Sequence, residues 1–296
     1  MPSASNPVFI TPRMLPRRWG REELSDWCLG VPRPPAPVGE IWSSHGANPA
    51  NDAQPLDAMV RDDPSGMLGD LGRAPPSVRL ILTGEPTDPI EHDGRLALWR
   101  VLESPIDAAL TAATPNGRIR RIRGRRGDIV RVDDQVSLCF DAGVAAIEVR
   151  PSFNPDNGAP RANPVRRVLA SRERSERQTW LRDAALSVEL WTLPESSTIH
   201  PDGETCHVLT ALTPGVCIDG RTLARGQSVF VPAQASAAVL TGRGAQLMVS
   251  YPDLVPTNIW RHTPHPDPVH MAMSQAALLS INAEHKHSSP TFQLAA

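Results

Sequence analysis

The stretch GDIVRV (127–132) returns in the second half of the chain as GQSVFV (226–231). In both stretches a glycine is followed by valines that alternate with other residues, the period-two pattern of a strand with one buried face. Upstream, at the same offset, LTAATP (110–115) matches LTALTP (209–214), and the ungapped alignment contains 13 identities over 34 positions. The sequence therefore predicts two copies of one β-rich unit.

Short strand-like segments surround the second copy. LSVELWTL (186–193) and CHVLTAL (206–212) precede the Asp-Gly pair at 219–220, which is a strong signal for a two-residue hairpin turn. AAVLTGRGAQLMVSYP (237–252) then supplies two more predicted strands about a glycine turn. Short antiparallel strands at this spacing are typical of a small barrel or sandwich. The predicted fold class is therefore mainly β, with two such barrels in tandem.

Composition excludes several classes of function. The chain has 296 residues, 40% of them hydrophobic, which is enough for one large or two ordinary domains. A formal net charge of −2 argues against a protein built mainly to bind nucleic acid. The sequence shows neither a signal-peptide run nor an apolar stretch long enough to span a bilayer. We expect a cytoplasmic protein without nucleic-acid or membrane partners.

Five motifs follow one another in a characteristic order. They are RRWGREEL (17–24), PVGEIWSSH (37–45), GRLALW (94–99), RIRRIRGRRGDIVRV (118–132) and AAIEVRPS (145–152). Their order and spacing resemble the class I mannose-6-phosphate isomerases, which are tandem cupins. Chains of that family carry W-G-G, I-G-E-x-W, G-K-T-E-x-W, G-D-x-x-x-V-P-x-G-x-x-H-A and I-x-E-x-Q.

The resemblance covers residues 8–253 and implies a domain organisation. Residues 1–165 would form an N-terminal degenerate cupin (jelly-roll) domain, and residues 185–253 a C-terminal cupin domain. The charged stretch RRVLASRERSERQTWLRDA (166–184) is predicted to be a short helical connector. Residues 254–296, rich in histidine, proline and serine, are expected to form a poorly ordered tail.

The resemblance also implies a divalent metal, usually zinc, which would hold the sugar oxygens and stabilise an enediolate. The glutamate ligand of G-K-T-E-x-W falls on Ala97, and the histidine ligand of V-P-x-G-x-x-H-A falls on Leu138. Of the Q-V-H-P ligands, the glutamine falls on Ile90 and only His92 survives as a remnant. A single histidine binds zinc weakly. We therefore expect no cofactor, and zinc only if the site has been rebuilt.

Two candidate catalytic residues remain. In the family's T-Y-R motif the arginine position falls on Gly158, but Arg161 is close enough that a loop shift could supply the guanidinium. Glu40 could act as a pocket base or as a structural acid bonded to backbone amides, and the sequence leaves both interpretations open.

Substrate binding has four candidates. Arg79 takes the place of a family lysine, and a guanidinium suits bidentate contact with a phosphate. Trp19 and Trp42 are sugar-stacking platforms or core anchors, and His45 follows the G-E-x-W motif closely enough to face the pocket. Against a sugar phosphate, the Asp pair at 133–134 would place two like charges at the barrel mouth.

Three functions are consistent with these residues. The first is a non-catalytic isomerase-like bicupin that binds a sugar phosphate or a protein partner and acts in regulation. The second is an active mannose-6-phosphate/fructose-6-phosphate isomerase with a rebuilt metal site, which predicts that a strand-borne histidine and at least two carboxylates converge in the first barrel. The third is an assembly protein with filled barrels, which predicts no pocket.

Overall fold

The computed structural model describes six segments of the chain: 6–51, 53–133, 135–152, 165–172, 176–253 and 258–262. The chain forms two compact units, 1–261 and 262–296. The helices and strands that the structure describes belong to the first unit, apart from His262, the last residue of a strand that begins at Trp260.

Strands dominate both halves of the described chain. The elements of the first half are, in chain order, β1 (Val8–Ile10), β2 (Arg13–Arg21), β3 (Val38–Ser44), β4 (Pro49–Ala50), β5 (Gln54–Pro55), α1 (Leu56–Asp62), α2 (Pro64–Leu68), β6 (Ser77–Leu82), β7 (Ile90–Glu91), β8 (Ala97–Glu103), β9 (Ala109–Ala113), β10 (Ile119–Arg123), β11 (Ile129–Val132), β12 (Ser137–Phe140) and β13 (Ala145–Arg150). Those of the second half are β14 (Val165–Val168), β15 (Ser171–Arg172), β16 (Arg177–Asp183), β17 (Leu186–Thr192), β18 (Ser196–Ile199), β19 (His207–Ala211), β20 (Cys217–Ile218), β21 (Arg221–Thr222), β22 (Ser228–Val231), β23 (Ala238–Thr241), β24 (Gln246–Tyr251) and β25 (Trp260–His262).

These strands build two pairs of sheets. The first sheet pair consists of a seven-stranded sheet, β14-β11-β8-β13-β6-β3-β2, and a four-stranded sheet, β10-β9-β12-β7. The second sheet pair consists of a nine-stranded sheet, β15-β16-β17-β24-β19-β22-β1-β4-β5, and a five-stranded sheet, β21-β20-β23-β18-β25. In the described residues no sheet closes on itself. The mainly β prediction is confirmed, but the structure shows open paired sheets where closed barrels were expected.

Three hydrophobic clusters hold the sheets together. The central cluster is shared by the two large sheets, for example through Leu80 and Leu98 on one and Val208 and Phe230 on the other. The first inner cluster lies within the first sheet pair and the second inner cluster within the second. The layers therefore follow the order four-stranded, seven-stranded, nine-stranded, five-stranded.

Strand order tests the sequence repeat. The run β11-β8-β13-β6-β3 in the first sheet pair corresponds to β22-β19-β24-β17-β16 in the second. GDIVRV and GQSVFV lie on β11 and β22, so this half of the repeat is confirmed. LTAATP begins on β9 of the four-stranded sheet, whereas LTALTP begins on β19 of the nine-stranded sheet. That half of the alignment pairs strands with different places in the fold and was wrong.

The predicted helical connector over 166–184 is also wrong, because the described part of this stretch forms strands β14, β15 and β16. Trp180 and Leu181 on β16 are buried, and β16 pairs with β17 in a hairpin. Its charged side chains are engaged: Arg177 bonds to Glu189 of the facing strand, and Asp183 bonds to Arg131. The charge density reflects ion pairs between strands and not the solvated face of a helix.

The predicted tail, residues 254–296, includes a strand of the folded protein, β25. Strand β25 completes the five-stranded sheet, Ile259 is buried, and Trp260 stacks on Trp191 with ring centroids 4.7 Å apart. The aromatic stack explains why this histidine- and proline-rich region still adds a strand. Residues 263–296 lie outside the described chain.

The hairpin prediction at 219–220 is confirmed. Asp219 has φ 47° and Gly220 has φ 78°, so both central residues are left-handed, as a type I′ turn between β20 and β21 requires. None of the helices in the described residues is long and apolar enough to cross a membrane.

Replacing Leu80 by alanine tests the central cluster. Leu80 is fully buried between the large sheets, so its truncation should lower the free energy of unfolding by about 2–5 kcal/mol. Leu169→Ala, at a side chain that is 93% exposed, is the control and should change it by less than about 0.5 kcal/mol. Because both sheet pairs share this cluster, urea unfolding followed by circular dichroism and tryptophan fluorescence should show one transition. Separate transitions, with Leu80→Ala shifting only one, would contradict the shared core.

Candidate functional site

A group of ionisable side chains lies inside the first sheet pair, and we call it the buried charge cluster: Glu40, Arg79, His92, Glu148 and Arg150. Arg79 on β6 is directly opposite Glu148 on β13, and Trp42 on β3 is opposite Arg79 on its other side. On β6 the next inward-facing residue, Ile81, belongs to the first inner cluster. The period-two alternation of the strands therefore directs Arg79 and Glu148 into the interior.

Arginines neutralise both carboxylates of the cluster. Arg79 donates from Nε to Glu148 Oε2, and its Nη1 lies 3.4 Å from Glu40 Oε2. Arg150 Nε donates to Glu148 Oε1 at 2.7 Å, and Arg17 Nε donates to Glu40 Oε1 at 2.7 Å. Three guanidinium groups thus face two carboxylates, so this region has one positive charge in excess.

Opposite charges decide the ionisation of the cluster. Burial alone would raise the pKa of Glu148, but Arg79, Arg150 and His92 lower it on balance below the ordinary glutamate value. Burial alone would lower the pKa of Arg79, but Glu148 and Glu40 raise it. The Arg79–Glu148 pair is therefore fully charged at neutral pH.

His92 is a buried neutral imidazole. Arg150 Nη2 lies 3.2 Å from His92 Nδ1, and because arginine can only donate, Nδ1 accepts and the proton of the neutral ring is on Nε2. The Nε2 atom is 3.6 Å from Glu148 Oε1 and has no hydrogen-bond partner among the described residues. Burial lowers the pKa of His92 to about 4; the Glu148 carboxylate acts in the opposite direction, and the positive charges of Arg150 and Arg79 lower the pKa further. The ring packs edge-on against Trp99.

A cleft of about 350 Å³ opens beside His92. Its wall includes the polar side chains of Glu91, Thr114, Gln135 and Ser137, and Ser137 donates its hydroxyl to Glu91 at 2.6 Å. Carboxylate, hydroxyl and amide groups around one cleft can exchange hydrogen bonds with a hydroxylated ligand, whereas the imidazole of His92 is fully buried behind the cleft wall.

The two positions expected to hold metal ligands are part of the hydrophobic core. Ala97 and Leu138 are both 0% exposed and belong to the first inner cluster with Trp99. In the part of the chain that the structure describes, no three histidine, cysteine, aspartate or glutamate side chains come together as a metal-binding group. The remaining donors, Glu148 and His92, already bond to guanidinium groups. This donor set does not fit a zinc ion.

The other predicted site residues have varied positions. Glu40 is in the cluster, and Trp42 joins it by donating from Nε1 to Glu40 Oε2 at 3.2 Å. The His45 ring packs against Trp42 at a tilt of 41°, with ring centroids 4.5 Å apart. Trp19 is buried in the first inner cluster, which favours its interpretation as a core anchor. Arg161 lies outside the described residues, and its catalytic role stays a prediction.

Sequence reasoning missed Glu148 and Arg150. A signal was present in AAIEVRPS (145–152), where a glutamate interrupts an apolar run on a strand buried on both faces. The repulsion predicted for the Asp pair is absent at Asp133, which is buried and bonds to Arg131 at 2.6 Å. Residue 134 is outside the described chain.

The second sheet pair carries a related group with the opposite sign at its centre. Glu189 on β17 accepts two hydrogen bonds from Arg177, at 2.7 Å each, and one each from Trp191 Nε1 and Tyr251 Oη, at 2.8 Å. Arg182 approaches the same carboxylate at 3.5 Å. The carboxylate is saturated by donors, so this group is structural.

Comparison with solved structures identifies the fold. The mannose 6-phosphate isomerase from Bacillus subtilis matches with a TM-score of 0.64 and 18% sequence identity, over 83% of this chain and 99% of that chain. A variant of phosphomannose isomerase from Salmonella typhimurium matches with a TM-score of 0.64 and 11% identity, over 84% of this chain and 100% of that one. No family model and no curated protein matches the sequence. The predicted resemblance is therefore confirmed for the fold.

Acid should destabilise the protein through its buried histidines. Burial lowers the pKa of His92 from 6.5 to about 4 and that of His207 to about 3. The unfolded chain takes up these protons first, so stability is lost as the pH falls from about 6.5 towards these values. One pKa unit corresponds to about 1.4 kcal/mol. The shift of His92 alone therefore lowers the free energy of unfolding by about 3 kcal/mol between neutral pH and pH 4.

Urea unfolding at pH 7.5, 6 and 5 measures this dependence. The free energy of unfolding should fall less steeply between pH 6 and 5 in His92→Gln than in the wild-type protein. The difference in slope should correspond to nearly one proton, because the unfolded state of the variant no longer takes up that proton. An unchanged slope in this variant would show that His92 is protonated in the folded protein.

Proposed function

We propose that the protein is a non-catalytic sugar-phosphate-binding protein with the mannose-6-phosphate isomerase fold, and that its two sheet pairs are tandem cupin units. One observation carries the loss of catalysis: Ala97 and Leu138 fill, as core residues, the positions where the family resemblance places metal ligands. A regulatory role follows from binding without turnover. The cytoplasmic location stays a prediction of the sequence.

The electrostatics of the buried charge cluster support this proposal. In a cavity designed for a divalent cation, carboxylates and imidazoles would be the nearest groups to the ion. Here Arg79 and Arg150 occupy the space against Glu148, and they provide fixed positive charge without an open coordination position. A guanidinium can bind a phosphate but cannot act as the Lewis acid that an aldose–ketose isomerisation of this type uses.

The ligand class follows from the surplus charge and from the cleft. Arg17, at the outer side of the cluster, retains 44% exposure of its side chain while it bonds to Glu40. Guanidinium groups suit the phosphate, and the polar wall beside His92 suits the hydroxyl groups of a sugar. A cleft of about 350 Å³ is within the range of small-molecule sites.

The active-isomerase alternative has one observation in its favour. His92 lies 3.6 Å from Glu148, and Arg79 links Glu148 to Glu40, although these groups form no metal-binding set in the described chain and His92 follows strand β7 instead of lying on it. The arginines that neutralise these carboxylates argue against it, because a cation would have to displace them. The cleft in turn argues against an assembly protein with filled barrels.

Metal analysis and an activity assay on one sample test the loss of catalysis. Elemental analysis of tag-free, chelator-washed protein should find no stoichiometric metal. The same sample with added zinc should not interconvert mannose 6-phosphate and fructose 6-phosphate. Stoichiometric metal together with turnover would overturn the proposal.

Calorimetric titration with mannose 6-phosphate tests the binding role. We expect saturable binding that Arg17→Gln weakens by about tenfold, the effect of one charge-assisted hydrogen bond. Arg18→Gln is the matched control, because the neighbouring Arg18 pairs with Asp88 outside the cluster and its loss should leave the affinity unchanged. An absence of binding, or equal effects of both variants, would refute a sugar-phosphate site in the cluster.

A further inference from the structure

Among the residues that the structure describes, Arg100 on β8 has no polar partner, unlike every other half-buried or buried arginine. The others donate hydrogen bonds to carboxylates or backbone carbonyls, and they are Arg21, Arg73, Arg79, Arg95, Arg131, Arg150, Arg177, Arg182 and Arg225. For Arg100 the contact within the described chain is with a ring: its guanidinium carbon lies 3.8 Å from the centroid of Trp180.

The surroundings of Arg100 are apolar and positively charged. On the seven-stranded sheet its neighbours across the strands are Ile129 and Ile147, and Trp180 belongs to the central cluster. Burial lowers the pKa of Arg100 to about 10, and the nearby positive charge of Arg126 lowers it further. Arg126 is itself exposed and has no acidic partner in the described residues.

A charge in this position is unfavourable unless something compensates it. Buried or half-buried guanidinium groups are normally paired, and a second cation nearby adds repulsion. The face of Trp180 compensates part of the charge by a cation–π contact. A ring face offers no hydrogen-bond acceptor of the kind a guanidinium edge needs, so within the described chain the N–H groups of Arg100 have none.

We propose that Arg100 and Arg126 form a binding site for a phosphate-type oxyanion at the junction of the two large sheets. A phosphate oxygen pair satisfies the edge of the Arg100 guanidinium in bidentate fashion, and Trp180 holds that guanidinium in place from its face. Arg126 supplies the second charge from the exposed loop between β10 and β11. The chemistry is the same for free phosphate and for a phosphate group of a larger molecule.

This site is separate from the buried charge cluster. Residues alternate along β8: Leu98 and Leu102 pack in the central cluster, whereas Ala97, Trp99 and Val101 pack in the first inner cluster. Arg100 therefore faces the central-cluster side of the seven-stranded sheet, and the charge cluster lies on the opposite side. The inference does not depend on the proposed function.

Binding of inorganic phosphate to the full-length protein tests the site. Isothermal titration at ionic strength fixed with sodium chloride should show saturable phosphate binding that depends on Arg100. Arg100→Gln should weaken it at least about tenfold and Arg126→Gln several-fold, as expected for loss of charge-assisted bonds. Arg118→Gln is the matched control, because Arg118 is an exposed arginine of the same basic run, and its loss should leave the affinity unchanged.

Thermal unfolding separates binding from folding defects. Phosphate should raise the melting temperature of the wild-type protein and of Arg118→Gln, raise that of Arg126→Gln less, and raise that of Arg100→Gln least, whatever their melting temperatures without phosphate. No saturable binding, or an equal loss in Arg118→Gln, would overturn the inference in favour of a diffuse positive surface.

Titration with mannose 6-phosphate in the Arg17→Gln variant identifies the source of the phosphate group. Affinity at the Arg100 site equal to that of inorganic phosphate means that the phosphate group alone is recognised. Tighter binding, still sensitive to Arg100→Gln, means that a phosphorylated organic ligand makes further contacts there. The Arg100→Gln substitution in the otherwise wild-type protein should remove this binding and leave the Arg17-dependent binding in the charge cluster. That result would confirm two independent sites.

Discussion

The central cluster is the constraint on which the rest of the structure depends. Two large sheets share it, so the strands of both must present apolar side chains to it at every second position. On β6 this assigns Leu80 to the shared core and Arg79 to the other side of the sheet. An arginine in that interior is stable only when carboxylates accompany it, and Glu148 on β13 and Glu40 on β3, the two strands that flank β6, provide them. The ionic site is thus a consequence of how the two sheet pairs are joined.

Each sheet pair has a charged residue at its centre, which is an arginine in the first and a glutamate in the second. SVRL on β6 (77–80) corresponds in strand order to SVEL on β17 (187–190), so Arg79 and Glu189 occupy equivalent places. In the second sheet pair one carboxylate accepts bonds from an arginine, a tryptophan and a tyrosine, and it retains no open acceptor for a ligand. In the first, His92 Nε2 has no hydrogen-bond partner among the described residues, and the residue borders a cleft. Ion pairing is therefore common to both sheet pairs, and they differ in how completely the described contacts satisfy the polar atoms.

Sequence patterns predicted individual strands and turns correctly, but they were less successful at showing which strands of the two sheet pairs correspond. Period-two alternation located β11 and β22 because it reports which side chains face a core, and the Asp-Gly turn was found because left-handed backbone selects those residues. The agreement of LTAATP with LTALTP failed because identity in an alanine- and threonine-rich stretch contains little information about strand order. The charged stretch at 166–184 was assigned to a helix because partners such as Glu189 are distant in sequence.

The same distance limits what the sequence says about the site. Arg79, Glu40 and His92 were found one at a time, through their places in motifs, whereas their meaning depends on their pairing with Glu148 and Arg150 across three strands. A carboxylate next to histidine suggests a metal, and the same carboxylate bonded to two arginines excludes one. The position of a glutamate in the sequence does not distinguish a metal ligand from a carboxylate in an ion pair. The distinction depends on which side chains contact it in the folded protein. In this chain Arg79 and Arg150 reach Glu148, and they supply positive charge beside it without an open coordination position.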